Sequence, residues 1–154
     1  GNLSQEKASI IKNNSDIGSQ TWYSMYKKAK GIAVNSNVTS SIIWGSQWDA
    51  TMRWMYNSGN AEKKKYTYDS TGKGYYDSDS PIATGKIDAY AVNNIYDMAG
   101  NVYDWTIEAN DTSYRVPRGG CCDSYGSDYP ASNRDNYSPR YSGDNYGFRV
   151  ALYM

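Results

Sequence analysis

Two stretches of the chain carry apolar residues at three- and four-residue spacing. In 19–30 these are Trp22, Met25, Tyr26 and Ala29, a stripe that predicts an amphipathic helix. Lys27, Lys28 and Lys30 crowd its C-terminal end, where cations suit the helix dipole, and Gly31 stops it. A second helix is predicted from about Ser46 to Tyr56, with Trp44, Trp48, Met52 and Met55 on one side and Asn57, Ser58 and Gly59 as its stop. Both stripes are expected to be core. Strand signals come later. Val102, Tyr103 and Trp105 read as a short strand entering the core, and 114–118 and 147–153 are the two strongest strand candidates. Ser40 to Ile43 forms a brief extended entry. The rest reads as connection: 1–18 as an arm or fragment start, 57–87 as one long irregular segment packed by its tyrosines, and 108–113 as a polar loop. At 154 residues the chain fits a single domain able to bury a core.

Composition changes this picture in one place. From Cys121 to Tyr146, 23 of 26 positions are Asn, Asp, Ser, Tyr, Cys, Gly or Arg, the exceptions being Pro130, Ala131 and Pro139. Lys occurs ten times before this stretch and never within it, and Glu, Gln, Met and Trp are missing from it as well. Ordinary surface loops use Lys and Glu freely, so the alphabet is restricted. Over the whole chain 17 Tyr and five Trp stand against one Phe, a surplus of amphipathic rings typical of recognition surfaces.

Charge and reactive residues then exclude several classes. Net charge is zero, so no basic field recruits nucleic acid, and Lys63 to Lys65 is too short a run to make one. No apolar run approaches membrane-spanning length, which argues against insertion into a bilayer. With no histidine in the chain, His-based acid–base catalysis and Ser/His/Asp or Cys/His triads are ruled out. The adjacent Cys121 and Cys122 match neither a disulfide framework nor a zinc spacing.

Three ordered motifs carry a resemblance. The segments IYDMAGNVYDWT (95–106), RVPRGG (115–120) and GFRVAL (147–152), preceded by the helix WGSQWDATMRW (44–54), are similar to the formylglycine-generating-enzyme-like branch of the C-type-lectin fold. The chain departs from that pattern at Tyr103, where the family has Trp, at Asp104, where it has Glu, and at Cys121 and Cys122, where it has Ser followed by an aromatic residue. The resemblance implies an α+β domain with a small twisted antiparallel sheet, two helices and long loops. It also places the copper-binding cysteines of the oxidase members at Ser124 and Tyr129, neither of which supplies a thiolate. An oxidase activity is therefore disfavoured, and the expectation is a binding protein that is not an enzyme.

Within the same branch the chain resembles the variable proteins of diversity-generating retroelements, in which adenine-directed mutagenesis rewrites Asn codons of the form AAY. That mechanism implies Asp, Ser, Tyr, Gly, Cys and Arg at the rewritten sites, and never a codon ending in a purine. The alphabet of 121–146 obeys this. On this reading 121–146 is a variable ligand-binding region. Its contacts are expected at Cys121, Cys122, Asp123, Ser124, Tyr125, Asp128, Asp135, Asn136, Tyr137, Arg140, Tyr141, Gly143, Asp144, Asn145 and Tyr146, with the cysteines on the surface. Pro130, Ala131, Pro139 and Arg149 are expected to be fixed frame, and Trp105, Tyr114 and Phe148 to hold the face rigid from within. The expected partner is a protein or glycan on a cell surface, and the expected setting a cell surface, the extracellular space or a phage virion. The alternative is an undiversified lectin-like binder. In that case Asp97, Asn101 and Asp104 offer the oxygen ligands that calcium takes, although the same side chains serve equally in turns and caps. Ligand identity and oligomeric state are not legible in the sequence.

Overall fold

A computed structural model describes residues 20–32, 37–76, 78 and 80–154. The arm expected at 1–18 lies outside them. Helix α1 (Trp22–Lys30) starts where Thr21 holds extended backbone and its hydroxyl accepts the Ser24 N–H. It buries Trp22, Met25 and Ala29, as the spacing predicts. Strand β1 (Thr39–Ile42) follows, then α2 (Gly45–Tyr56), whose Trp48, Met52 and Met55 are buried. Trp44 breaks the expected stripe. It sits one residue before the helix with extended backbone and is 47% exposed, while the Gln47 side chain accepts its N–H.

Helix α3 (Ala61–Tyr68) corrects the expectation of a long irregular segment over 57–87. Asn60 caps it by accepting the Lys63 N–H at 3.1 Å. Only Tyr66 and Thr67 are buried, so the helix has no apolar stripe for periodicity to detect, and its stability comes from docking. A 3-10 turn (Asp88–Tyr90) then leads into a two-residue hairpin, β2 (Ala91–Val92) and β3 (Ile95–Tyr96). Asn93 and Asn94 supply the positive φ that its tight turn needs.

Strand β4 (Tyr103–Ala109) runs further than expected and takes in part of the predicted 108–113 loop. It is the middle of a three-stranded sheet. Strand β5 (Arg115–Arg118) pairs with it antiparallel on one side, and β6 (Tyr146–Phe148) pairs parallel on the other. The expected single strand over 147–153 splits at Arg149. Strand β7 (Val150–Tyr153) leaves for a separate antiparallel pair with β1. Among the described residues the sheet structure is thus three small sheets, one with a parallel pair.

Two buried clusters lie against these elements. One joins α1 and β1 to Tyr103, Trp105, Cys121 and Tyr146; the other joins α2 and α3 to Val92, Met98, Ala99 and Ala131. Three members of the compositionally restricted stretch are therefore core. Cys121, Cys122, Ser124 and Tyr146, expected to face outward, are all buried: Tyr146 pairs with Tyr103 of β4, and the Cys122 main chain is tied to Asn101 and Ser78. Conversely Tyr114, expected inside, is 42% exposed, and Phe148 is half-buried.

Candidate functional site

From Cys121 to Tyr146 the chain forms turns and isolated bridges with no helix or strand of its own until the last residue. It is nevertheless held at many points by its main chain. Residues 133–137 lie along the free edge of β5: Tyr137 and Arg115 exchange both N–H···O bonds at 3.0 and 3.1 Å, and the Asp135 N–H reaches Pro117 O at 3.1 Å. Upstream, the Cys122 N–H donates to Asn101 O and its carbonyl accepts from Ser78, both at 2.9 Å. Gly126 O accepts the Ser70 N–H, and Asn145 O accepts the Tyr103 N–H at 2.8 Å. These bonds do not depend on which side chain a position carries. Side chains expected to be frame add to them. Ala131 is fully buried, its N–H donating to Ser70 Oγ and its carbonyl accepting from Trp48 Nε1, each at 2.8 Å, and Pro139 O accepts the Trp22 N–H. Gly120, at φ 73, lies where a Cβ would fall 2.8 Å from Tyr129 Cβ, so only glycine lets the stretch begin there.

Above this backbone opens a cavity of about 410 Å³. Its wall is built from Tyr103, Tyr125, Tyr129, Tyr137, Tyr141 and Tyr146, with Cys121, Asp123, Ser124 and Asn145 between them. The rings form a chain from core to surface. Trp105, fully buried, stacks on Tyr146 at 5.2 Å between centroids, and Tyr146 stacks on Tyr103 at 5.3 Å. Tyr146 also meets Tyr141 edge-on at 5.2 Å and Tyr137 at 5.6 Å. Tyr141, at 48% exposure, ends the series as an open ring, and Tyr125, 62% exposed, stands separately on the same wall. Burial pushes the phenols of Tyr103, Tyr137 and Tyr146 up, with nearby Asp135 adding to the effect at Tyr103 and Tyr137, so all three stay neutral hydroxyls. Burial pushes the Cys121 thiol up to about 12, and hydrogen bonding to Asp123 adds to this. The thiol donates to Asp123 Oδ1 at 2.6 Å. A protonated, buried sulfur of this kind is a poor nucleophile.

The structure sorts the expected contact residues by depth. Asp123, Tyr125, Asp128, Asn136, Arg140, Tyr141 and Asp144 are exposed; Asp135, Tyr137, Gly143 and Asn145 are half-buried. Cys121, Ser124 and Tyr146 reach the cavity from beneath, whereas Cys122 is buried and does not line it. Two wall residues, Tyr103 and Tyr129, are additions to the expected set. The available signal for Tyr103 was its departure from the family's Trp, and for Tyr129 its place at a position where the oxidase members carry a cysteine.

Neither metal suggested by the resemblance fits. A two-thiolate copper site would need sulfur at Ser124 and Tyr129, and the cavity holds the single protonated thiol of Cys121. The three oxygen-bearing residues considered for calcium are each engaged elsewhere. The Asp97 carboxylate accepts the Gly85 N–H, and the Asn101 amide bridges Ile82 N–H and C=O. Asp104 pairs with Arg149 at 2.7 Å, and the same guanidinium takes up the carbonyls of Tyr96 and Asp97. A cation of the protein itself thus takes one oxygen of Asp104 and the two neighbouring carbonyls. Among the described residues no group of three His, Cys, Asp or Glu side chains could hold a metal ion.

Comparison with known proteins places this geometry. Residues 26–154 match the sulfatase-modifying factor enzyme 1-like domain. A serine/threonine-protein kinase, pkn1 of Chlamydia caviae, is 31% identical in an alignment 103 positions long that covers 54% of this chain and 16% of the kinase. Among solved structures, PvdO from Pseudomonas aeruginosa superposes with a TM-score of 0.63 at 20% identity, covering 89% of this chain and 61% of that one. CarF gives 0.62 at 13% identity, covering 88% and 66%. Treponema denticola variable protein 1 gives 0.52 at 21% identity, covering 74% and 47%. The shared architecture is the α+β, C-type-lectin-like fold of the formylglycine-generating-enzyme type. The chain spans less than two thirds of most of these relatives.

Proposed function

Because the chain belongs to the sulfatase-modifying factor enzyme 1-like family, we propose that it uses this fold as a non-enzymatic ligand-binding protein, with 121–146 as a surface diversified by a retroelement. The observation that carries the reading is the division of labour within that stretch. Its backbone is fixed by main-chain bonds and by Ala131, Pro139 and the paired glycines, while Asp123, Tyr125, Asp128, Asn136, Arg140, Tyr141 and Asp144 point outward with few partners. A rigid face of this kind binds without the entropic cost of ordering a loop. Tyrosine supplies contact area with a polar tip, and Asp and Asn supply adaptable hydrogen bonds. The restricted alphabet and the fold shared with Treponema denticola variable protein 1 support the retroelement origin of that surface.

The partner on this reading is a protein or glycan displayed on a cell surface, and this protein acts there, outside the cell or on a virion. Sequencing the same locus from independent isolates tests the origin of the surface: substitutions should fall at positions whose template codon is AAY, and even drift along 20–154 would overturn it. Replacing the seven exposed residues together with Ser tests the division of labour. The midpoint of thermal unfolding should move little, and a loss as large as that of Trp105→Ala would show that they belong to the fold.

A further inference from the structure

The chemistry of the cavity wall points beyond a generic binding surface. Six tyrosines and one carboxylate face it, and neither Lys nor Arg lines it. The stretch that supplies most of the wall carries four Asp against two Arg, and one of those, Arg134, is spent on an ion pair with Glu108. Asp123 is exposed at the mouth. The Cys121 thiol donates to one of its oxygens. Negative faces of aromatic rings and a carboxylate are the two groups that attract an alkylammonium ion, whereas a neutral polar solute gains a hydrogen bond from the carboxylate but neither the ion pairing nor the attraction to the ring faces. Rings at the rim, Tyr125 and Tyr141, are open to a flat partner surface around such an ion.

We propose that this cavity receives an alkylammonium group, the side chain of a lysine presented by a protein partner, between the rim tyrosines and the carboxylate of Asp123. The assignment rests on the ligand-binding reading above and names the class of group bound. A free small amine has the same chemistry, but the open rings of Tyr125 and Tyr141 at the rim favour an ion attached to a larger partner.

The test is titration of the intact protein, followed by the NMR shifts of its tyrosine rings, with Nα-acetyl-lysine methylamide, n-butylammonium, n-butanol and methyl glucoside. Expected is saturable perturbation by the two ammonium compounds and none by the neutral ones. Asp123→Asn and Tyr141→Ala should each weaken binding of the lysine derivative about tenfold, while Glu62→Gln, far along the chain on α3, leaves it unchanged. Equal response to n-butanol, preference for methyl glucoside, or no response to either ammonium compound would overturn the proposal. Binding of n-butylammonium without the lysine derivative would overturn the assignment to a protein side chain. Each of these leaves the ligand-binding reading standing, because that reading fails on the unfolding of the sevenfold Ser variant.

Discussion

Single side chains in this protein differ in role according to a few ångströms of depth. Trp105 is fully buried and carries Tyr146 on its face, so Trp105→Ala should cost about 3–5 kcal/mol through the cavity it leaves. Tyr125, at 62% exposure, should cost under about 0.5 kcal/mol when cut to Ala. Denaturant midpoints of the two variants check the contrast, and comparable losses would reject the assignment of Tyr125 to recognition. Gly119 is the opposite kind of residue. At φ 84, with a built Cβ only 2.5 Å from Met98 O, it excludes any side chain, and Gly119→Ala should destabilise by about 2 kcal/mol or more. Asp104 gives a pH signature. Burial raises its carboxyl to about 6 despite the opposing Arg149, and burial raises Asp97 in the same direction. For an acid raised on folding, the contribution to stability is full below the unfolded pKa, near 4, and is lost as pH rises through 6. Asp104→Asn should remove that decline, so the stability difference between wild type and variant should change between pH 4 and 7; a constant difference sinks the claim.

At the scale of elements, the legible pieces were those whose signal is local. The stripe of Trp22, Met25 and Ala29 and the hydrophobic side of α2 announced their helices, and Asn57 to Gly59 its end. Helix α3 was illegible because its Lys-rich sequence buries only Tyr66 and Thr67, and what holds it is a cap and a docking contact. Asn60→Ala should therefore cost about 1 kcal/mol, read as a drop in unfolding midpoint with loss of helix signal; no change would mean that the cap is idle. The division of 147–153 between two sheets was hidden for a related reason. Residues on both sides of Arg149 have strand propensity, and the contacts made at the break are distant in sequence: Arg149 pairs with Asp104, 45 positions earlier, and its carbonyl accepts the Ile43 N–H.

Across the whole molecule, a fixed frame and an open face are kept apart by which interactions hold each. The main chain of 121–146 is tied to β4, β5 and the loops before them, so sequence change on the outside leaves the fold intact. Arg149 sits where β3, β4 and β7 meet and places a guanidinium against Asp104 and the carbonyls of Tyr96 and Asp97, beside the oxygens that a calcium ion would take. Thermal unfolding should accordingly be the same with calcium and with a chelator, and a stabilising shift on adding calcium would contradict this assignment.

What the sequence determined by itself were its periodicities, its turn residues and the alphabet of 121–146, each carried by neighbouring positions or by residue type. It also separated Pro130, Ala131 and Pro139 from the residues around them, since these few do not share that alphabet. Only the tertiary structure decided which members of the stretch face water. Cys121 and Tyr146 obey the same compositional rule as Asp123 and Tyr141, yet the first two are core and the second two are open. The reason is that the partners fixing the main chain of the stretch, Asn101, Tyr103, Arg115 and Pro117, lie at distances along the chain that no local pattern records.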